Sequence, residues 1–222
     1  MTIERVTVIG GTGAEGFGLA LRWAAAGIEV IIGSREQGRA EDAAVRLRER
    51  VADARVTGLV NADAAARCGL VVVAVPFSGQ AAIYKSLTEG LRDDAVVVDC
   101  TVPVEAAVGG KATHVLGVWE GSAAQLAASL APKGTQLCAA FHTLSASALE
   151  DLDSPLEGDV PVCGPKAAKG VVRQLVERIP ELRFVDAGPL ENARIVEPLT
   201  SLLIGINRRY KTDRAGIRFT GI

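Results

Sequence analysis

One stretch of eleven residues, Val6-Thr7-Val8-Ile9-Gly10-Gly11-Thr12-Gly13-Ala14-Glu15-Gly16, constrains this chain more than any other. It sets a G-x-G-x-x-G directly after a strand-like apolar run and at the mouth of a helix-like segment. In that context each glycine has its own duty. Gly11 is expected to permit the tight turn, Gly13 to let backbone amides approach a diphosphate, and Gly16 to let the helix pack closely on the strand. The amides of the helix start, around Thr12, Ala14 and Glu15, would then face the anion. A glycine-rich turn in a chain with 24 glycines is the plain alternative. The flanking strand, and a second strand at the expected distance, favour a dinucleotide site.

The rest of the chain continues the same pattern. Strand-like runs at Val6–Ile9, Glu29–Ile32, Val56–Leu59, Leu70–Val75, Val96–Asp99, Gln136–Phe141, Asp159–Cys163 and Arg183–Asp186 alternate with helical stretches. Such alternation predicts parallel strands joined by helical crossovers, hence an α/β fold built on a doubly wound parallel sheet. Composition agrees: hydrophobic residues reach 49% but aromatics only 4%, so Val, Ile, Leu and Ala must fill the core, as in strands buried on both faces. Gly27 is expected to end the first helix, Asn61 or Asp63 to cap the third, and Pro189 to precede one long last helix over about Asn192–Asn207. The polar stretch Glu150–Asp159 marks the expected change from a first domain, 1–148, to a small C-terminal α/β domain, 149–222.

The second strand decides which dinucleotide. A unit that binds NAD usually ends this strand in an acid that bonds the ribose 2′-hydroxyl. Here Glu29-Val30-Ile31-Ile32 runs instead into Gly33-Ser34-Arg35. A hydroxyl and a guanidinium supply a hydrogen bond and charge to a 2′-phosphate that an acid would repel, so NADP is expected. Thr12 and Arg39 offer a second hydroxyl and cation. Glu36 is the competing residue: if it faced the ribose, NAD would be preferred.

Other classes are disfavoured. Net charge is −2, which argues against a general nucleic-acid surface. The longest purely apolar run, Leu70–Val75, is far below the ~20 residues that span a bilayer, so no membrane span is expected. The N-terminal stretch lacks the layout of a signal peptide, and a cytoplasmic location is expected. Cys68, Cys100, Cys138 and Cys163 are widely spaced without any C-x-x-C and read as small buried hydrophobes. With only His114 and His142 to join them, no metal site is expected. His142 falls at the carboxyl end of a strand, where doubly wound sheets bind ligands. A pocket role and an ordinary structural hydrogen bond are both open to it, while His114 reads as a surface residue.

The residues also resemble a known family. Gly10-Gly11-Thr12-Gly13, Gly33-Ser34-Arg35, Val75-Pro76-Phe77, Val102-Pro103-Val104, His142-Thr143, Asp159–Gly164 and Asp186–Leu190, followed by Asn192, Arg194, Glu197 and Leu199-Thr200, are similar in order to the deazaflavin (coenzyme F420)-dependent NADP reductases. The likeness runs nearly end to end. Arg39 stands where the family often has Lys, and Ser145 where Pro is expected. The resemblance implies a Rossmann-type domain, a small C-terminal domain and a cleft where nicotinamide and deazaflavin rings stack. Thr12 to Glu15, Ser34, Arg35 and Arg39 would hold NADP, and Phe77, Ala81, Val104 and Ala146 would line its nicotinamide half. Leu144, Ala146, Thr200 and Ala215 would face coenzyme F420. Both partners would be small-molecule cofactors, with a homodimer as one option.

The implied activity is hydride transfer between NADP(H) and F420. Direct transfer needs alignment and exclusion of water more than an acid-base pair, so no catalytic side chain is assigned. Two alternatives share the first half: an NADP-dependent reductase of a small hydroxy acid or imine, and a non-catalytic NADP-binding module. The first usually carries a large helical second domain and a lysine on its first helix. Finally, Arg208, Arg209, Lys211, Arg214 and Arg218 against the single acid Asp213 form a basic strip that could steer an anionic deazaflavin tail.

Overall fold

A computed structural model describes residues 3–222 of the chain. Six parallel strands form the main sheet: β1 (Arg5–Ile9), β2 (Glu29–Ser34), β3 (Val56–Val60), β4 (Leu70–Val73), β5 (Val96–Asp99) and β6 (Gln136–Ala139). Their spatial order is β3-β2-β1-β4-β5-β6, so the chain reverses its direction of travel between β1 and β4. The crevice outside the carboxyl ends of those two strands is where a fold of this kind receives a ligand.

Alternation along the strands divides the core between the two faces of the sheet. Val6, Val8, Val30, Ile32, Val72 and Val98 point to one face, beneath α1 (Ala14–Ala25) and α2 (Gln37–Arg50). Ile9, Ile31, Val71, Val73 and Val97 point to the other, beneath α3 (Asn61–Ala66), α4 (Phe77–Leu87) and α5 (Ala123–Leu130). Gly27, at φ 80°, turns the chain out of α1 as expected. The third helix differs: its N-cap is Val60, and Asn61 is already its first residue.

Beyond β6 the chain forms α6 (Ala146–Glu150), β7 (Gly158–Val162), α7 (Lys166–Glu177), β8 (Leu182–Asp186), α8 (Ala193–Val196) and α9 (Leu199–Tyr210). Strands β7 and β8 make a parallel pair, and Cys163 just past β7 bridges to Ala139 of the main sheet. The helix expected over Asn192–Asn207 is interrupted because Pro198, with no amide hydrogen to donate, stands between α8 and α9.

Three side chains weld this C-terminal part to α1. Fully buried Trp23 donates from Nε1 to Leu175 O at 3.1 Å and meets the Phe141 ring edge-on at 5.6 Å. Arg22 is buried, with Nε 2.9 Å from Leu149 O and Nη2 2.7 Å from Ala148 O. A guanidinium is the side chain best matched to several carbonyls that α6 leaves unsatisfied at its end.

Candidate functional site

The glycine turn sits at the crevice mouth. Gly10 takes the left-handed conformation, φ 79°, and a Cβ there would lie 2.3 Å from Ala74 O. The tight turn therefore belongs to Gly10, not Gly11 as the sequence suggests. Gly11 is buried, and its Cβ would press on Ile32 Cγ2 at 3.0 Å and Val8 O at 3.1 Å. Gly16 meets the close-packing expectation, since a Cβ would fall 2.5 Å from Gly10 O. Gly13 is exposed, and its nearest obstacle to a Cβ is Gly10 O at 3.4 Å, so the helix-start amides are open to a ligand.

From this turn a cavity of about 300 Å³ opens toward the end of β2. Thr12, Ser34, Arg35 and Arg39 all line it. Ser34 is buried, with its Oγ accepting from the Glu36 amide at 3.4 Å, while Arg35 is exposed. Glu36 also reaches the cavity but pairs with Arg39 at 3.3 Å, which directs its carboxylate toward that guanidinium. Asn61, missed at the sequence level, lines the same cavity, buried and with no partner for Oδ1. An asparagine opening a short alanine-rich helix reads as a cap. Its unused side-chain acceptor becomes visible only in the fold.

A second cavity, about 430 Å³, continues on the other side of the turn and is walled by Glu15, Phe77, Val104, Thr200 and Ile204. The two cavities share Gly13, Ala74, Val75 and Pro76, so they form one trough, cationic and polar at one end and mainly apolar at the other. Thr200 donates from Oγ1 to His142 O at 2.7 Å, which fixes the start of α9 against the end of the sheet. Leu144 and Ala215 are half-buried and Ala146 opens α6, but none of the three lines either cavity. Ala81 is exposed on α4 and lines neither, whereas Ala82 and Ile83 line the first.

His142 is buried, lines neither cavity, and leaves both ring nitrogens without a partner. Burial alone lowers its pKa to about 4, so the ring is neutral at pH 7.

Beneath the apolar end lie two buried acids, Asp99 and Glu197, and at its wall stands half-buried Glu15. Asp99, at the end of β5, accepts from Tyr84 Oη at 2.7 Å, from Gln80 Nε2 at 3.1 Å and from the Thr101 amide at 2.9 Å. Burial pushes its pKa up to about 6 against the pull of those donors. Glu197 caps α5 by accepting from the Ala123 and Ala124 amides, each at 2.9 Å, and burial raises it to about 7. Glu15, half-buried at the cavity wall, is raised to about 8, first by its partial removal from water and then by the charge of Asp99.

The basic strip is partly spoken for. Arg214 pairs with Asp151, Arg218 with Glu157 at 3.2 Å, and Arg209 donates to Gly205 O at 3.3 Å, while Arg208 and Lys211 stay exposed. Among the described residues no group of His, Cys, Asp and Glu is placed to hold a metal ion, and no helix is long and apolar enough to cross a membrane.

Comparison with known proteins bears on this geometry. A family model described as NADP oxidoreductase, coenzyme F420-dependent, matches residues 5–103. The chain is 43% identical to the F420-dependent NADP reductase of Methanothermobacter thermautotrophicus over 99% of its own length and 96% of that protein's. With the enzyme of the same name from Methanocaldococcus jannaschii it shares 39% identity, over 98% of this chain and 99% of that one. Among solved structures, a chain proposed to be an F420-dependent NADP reductase from Arthrobacter sp. FB24 superimposes with a TM-score of 0.80 at 22% identity, covering 99% of this chain and 100% of that one. Pyrroline carboxylate reductase of Plasmodium falciparum, solved with NADP bound, gives 0.61 at 12% identity, covering 95% and 66%. At such identities those two likenesses speak for the Rossmann-type α/β fold alone.

Proposed function

The chain belongs to the coenzyme F420-dependent NADP reductases, and from that premise we propose that NADP(H) lies along the trough, with its 2′-phosphate at the cationic end and its nicotinamide in the apolar end beside the deazaflavin. The protein is an oxidoreductase that passes a hydride between NADP(H) and F420. The two coenzymes supply the redox chemistry when bound. This chain's residues hold and align them and keep water out.

The observation that carries the placement is the sharing of Gly13, Ala74, Val75 and Pro76 by both cavities. The fit rests on local features. Gly11, Thr12, Gly13, Ala14, Glu15 and Gly16 form a cradle that tolerates no Cβ at its tight points and presents helix-start amides to a diphosphate. Ser34, Arg35 and Arg39 offer donors to a 2′-phosphate, and the unpartnered Asn61 Oδ1 is an acceptor for a nucleoside amine or hydroxyl. Phe77 and Val104 would flank the nicotinamide. Thr200 would meet the deazaflavin, with Leu144, Ala146 and Ala215 as an outer wall. On this reading residues 1–148 carry NADP and 149–222 complete the deazaflavin side.

A small hydroxy-acid or imine substrate is not favoured. The lysine-bearing helical domain of such enzymes is replaced by the β7–α7–β8 unit and α8–α9, and residues 192–207 contain no Lys. The partners are small-molecule coenzymes, in a cytoplasmic setting. Were two copies to pair as a homodimer, exposed Ile195 and Leu202 are apolar side chains available for covering.

Removing the Arg35 guanidinium tests the cationic end. Arg35→Ala is expected to weaken NADP by ~1.5–3 kcal/mol, the worth of a charge-assisted hydrogen bond, and to leave NAD nearly unchanged. Titration of both nucleotides decides: equal losses would remove the 2′-phosphate assignment.

A further inference from the structure

Glu15 is the second residue of α1, so its backbone belongs to the turn that faces the diphosphate, while its side chain lines the apolar cavity. No hydrogen bond or cation among the described residues holds its carboxylate in the charged form. The titratable groups around it are Asp99 of β5 and Cys100, and both are acids. Other elements bring no charge to this wall: Phe77 comes from α4, Val104 and Ala107 from the segment after β5, and Thr200 and Ile204 from α9. The start of α1 favours a charged carboxylate by less than about one pKa unit, which burial and Asp99 outweigh.

An ionised acid in this position is at odds with the bound anion. NADPH, whose dihydronicotinamide ring is uncharged, would bring only the negative charge of its phosphates near Glu15 and displace water from the cavity, and both effects favour the neutral carboxylic acid. The reaction has a use for that proton. When NADPH reduces the deazaflavin, a nicotinamide C–H bond breaks and its hydride, one proton with two electrons, forms a C–H bond on the deazaflavin. The reduced ring needs one more proton, so one proton is consumed per turnover.

We propose that Glu15 is the proton-holding residue of this cleft: it takes up a proton as NADPH binds and gives that proton up when the deazaflavin is reduced. The Glu15 O–H bond breaks, the proton passes to the reduced ring, and the carboxylate is reprotonated from solvent after products leave. In the opposite direction Glu15 receives the proton. The inference rests on the placement of NADP(H) proposed above, but its first half is testable with no deazaflavin present.

Calorimetric titration of NADPH into the protein at pH 8.5, in two buffers of different protonation enthalpy, reads the proton count directly. The phosphates of the nucleotide, with second pKa values near ~6, are fully ionised there and contribute nothing. The native protein is expected to take up roughly half a proton or more, because the titration of Glu15 moves upward past the working pH. Glu15→Gln, of nearly the same size, should bind NADPH with uptake near zero. Its kcat for F420 reduction should be lower and should lack the alkaline decline expected of the native enzyme as Glu15 ionises in the complex. Should Glu15→Gln fold poorly, Glu15→Leu provides the same two readouts. Uptake by a folded variant equal to that of the native protein would overturn the proposal, as would an unaltered alkaline limb in its kcat profile. Failure to reduce F420 alongside normal proton uptake would instead count against the assigned reaction.

Discussion

Asp99→Ala is expected to lower the unfolding free energy by about 2–5 kcal/mol, a large loss for a single side chain. Asp99 is fully buried and is the acceptor for Tyr84 Oη and the Thr101 amide. Removing it strands both donors away from water, at about 1–3 kcal/mol each. Gln80 suffers less because its Nε2 also donates to Ala123 O at 3.0 Å. Tyr84→Phe should therefore cost less in the Asp99→Ala background than alone, and a double-mutant cycle by chemical denaturation measures the difference. Additive losses would mean that the 2.7 Å contact is not the source.

Charge at Asp99 separates from its hydrogen bonding through pH. Its pKa is raised, from the ordinary 3.8 to about 6, so the stability it confers is fully present below the unfolded value and is lost as pH rises through about 6. Asp99→Asn should accordingly be most damaging in acid and less damaging at pH 8.

The second large effect concerns His142 and has the opposite sign. Its pKa is lowered, to about 4, so the native ring resists a proton that the unfolded chain accepts near 6.5. Stability linked to His142 is complete above pH 6.5 and falls as pH drops toward 4, by about 2 kcal/mol between pH 7 and 5. The raised acids Glu15, Asp99 and Glu197 gain over part of the same range, so the comparison is between variants rather than along one curve. His142→Leu should lack that acid loss in denaturation at both pH values. An equal loss in the variant would place the proton elsewhere. Since His142 lines neither cavity, His142→Ala should also keep turnover within ~100-fold of the native enzyme at pH 7.

The strands and the phosphate turn were legible because both depend on local pattern. Runs such as Leu70-Val71-Val72-Val73 suit a strand covered on both faces, and glycines at Gly11, Gly13 and Gly16 after such a run admit few other structures. What the sequence hid depends on neighbours distant along the chain. That Gly10 rather than Gly11 takes the positive φ follows from the approach of Ala74 O, which arrives with β4. The unused acceptor of Asn61 and the exposure of Ala81 follow from how α3 and α4 sit on the sheet. Nor does pattern announce that Asp99, which reads as the polar end of a valine strand, gathers donors from α4 and from Thr101. The break at Pro198 was readable, but the amphipathic run on either side of it masked it.

Hydride transfer between NADP(H) and F420 is expected to be direct. Anaerobic mixing of one equivalent of NADPH, deuterated at nicotinamide C4 on either face in separate experiments, with oxidised F420 and the enzyme tests it. Loss of the deazaflavin absorbance, with the deuterium of one face recovered on the reduced deazaflavin, is the predicted result. An unchanged absorbance, or bleaching with the deuterium of both faces kept off the deazaflavin, would contradict it.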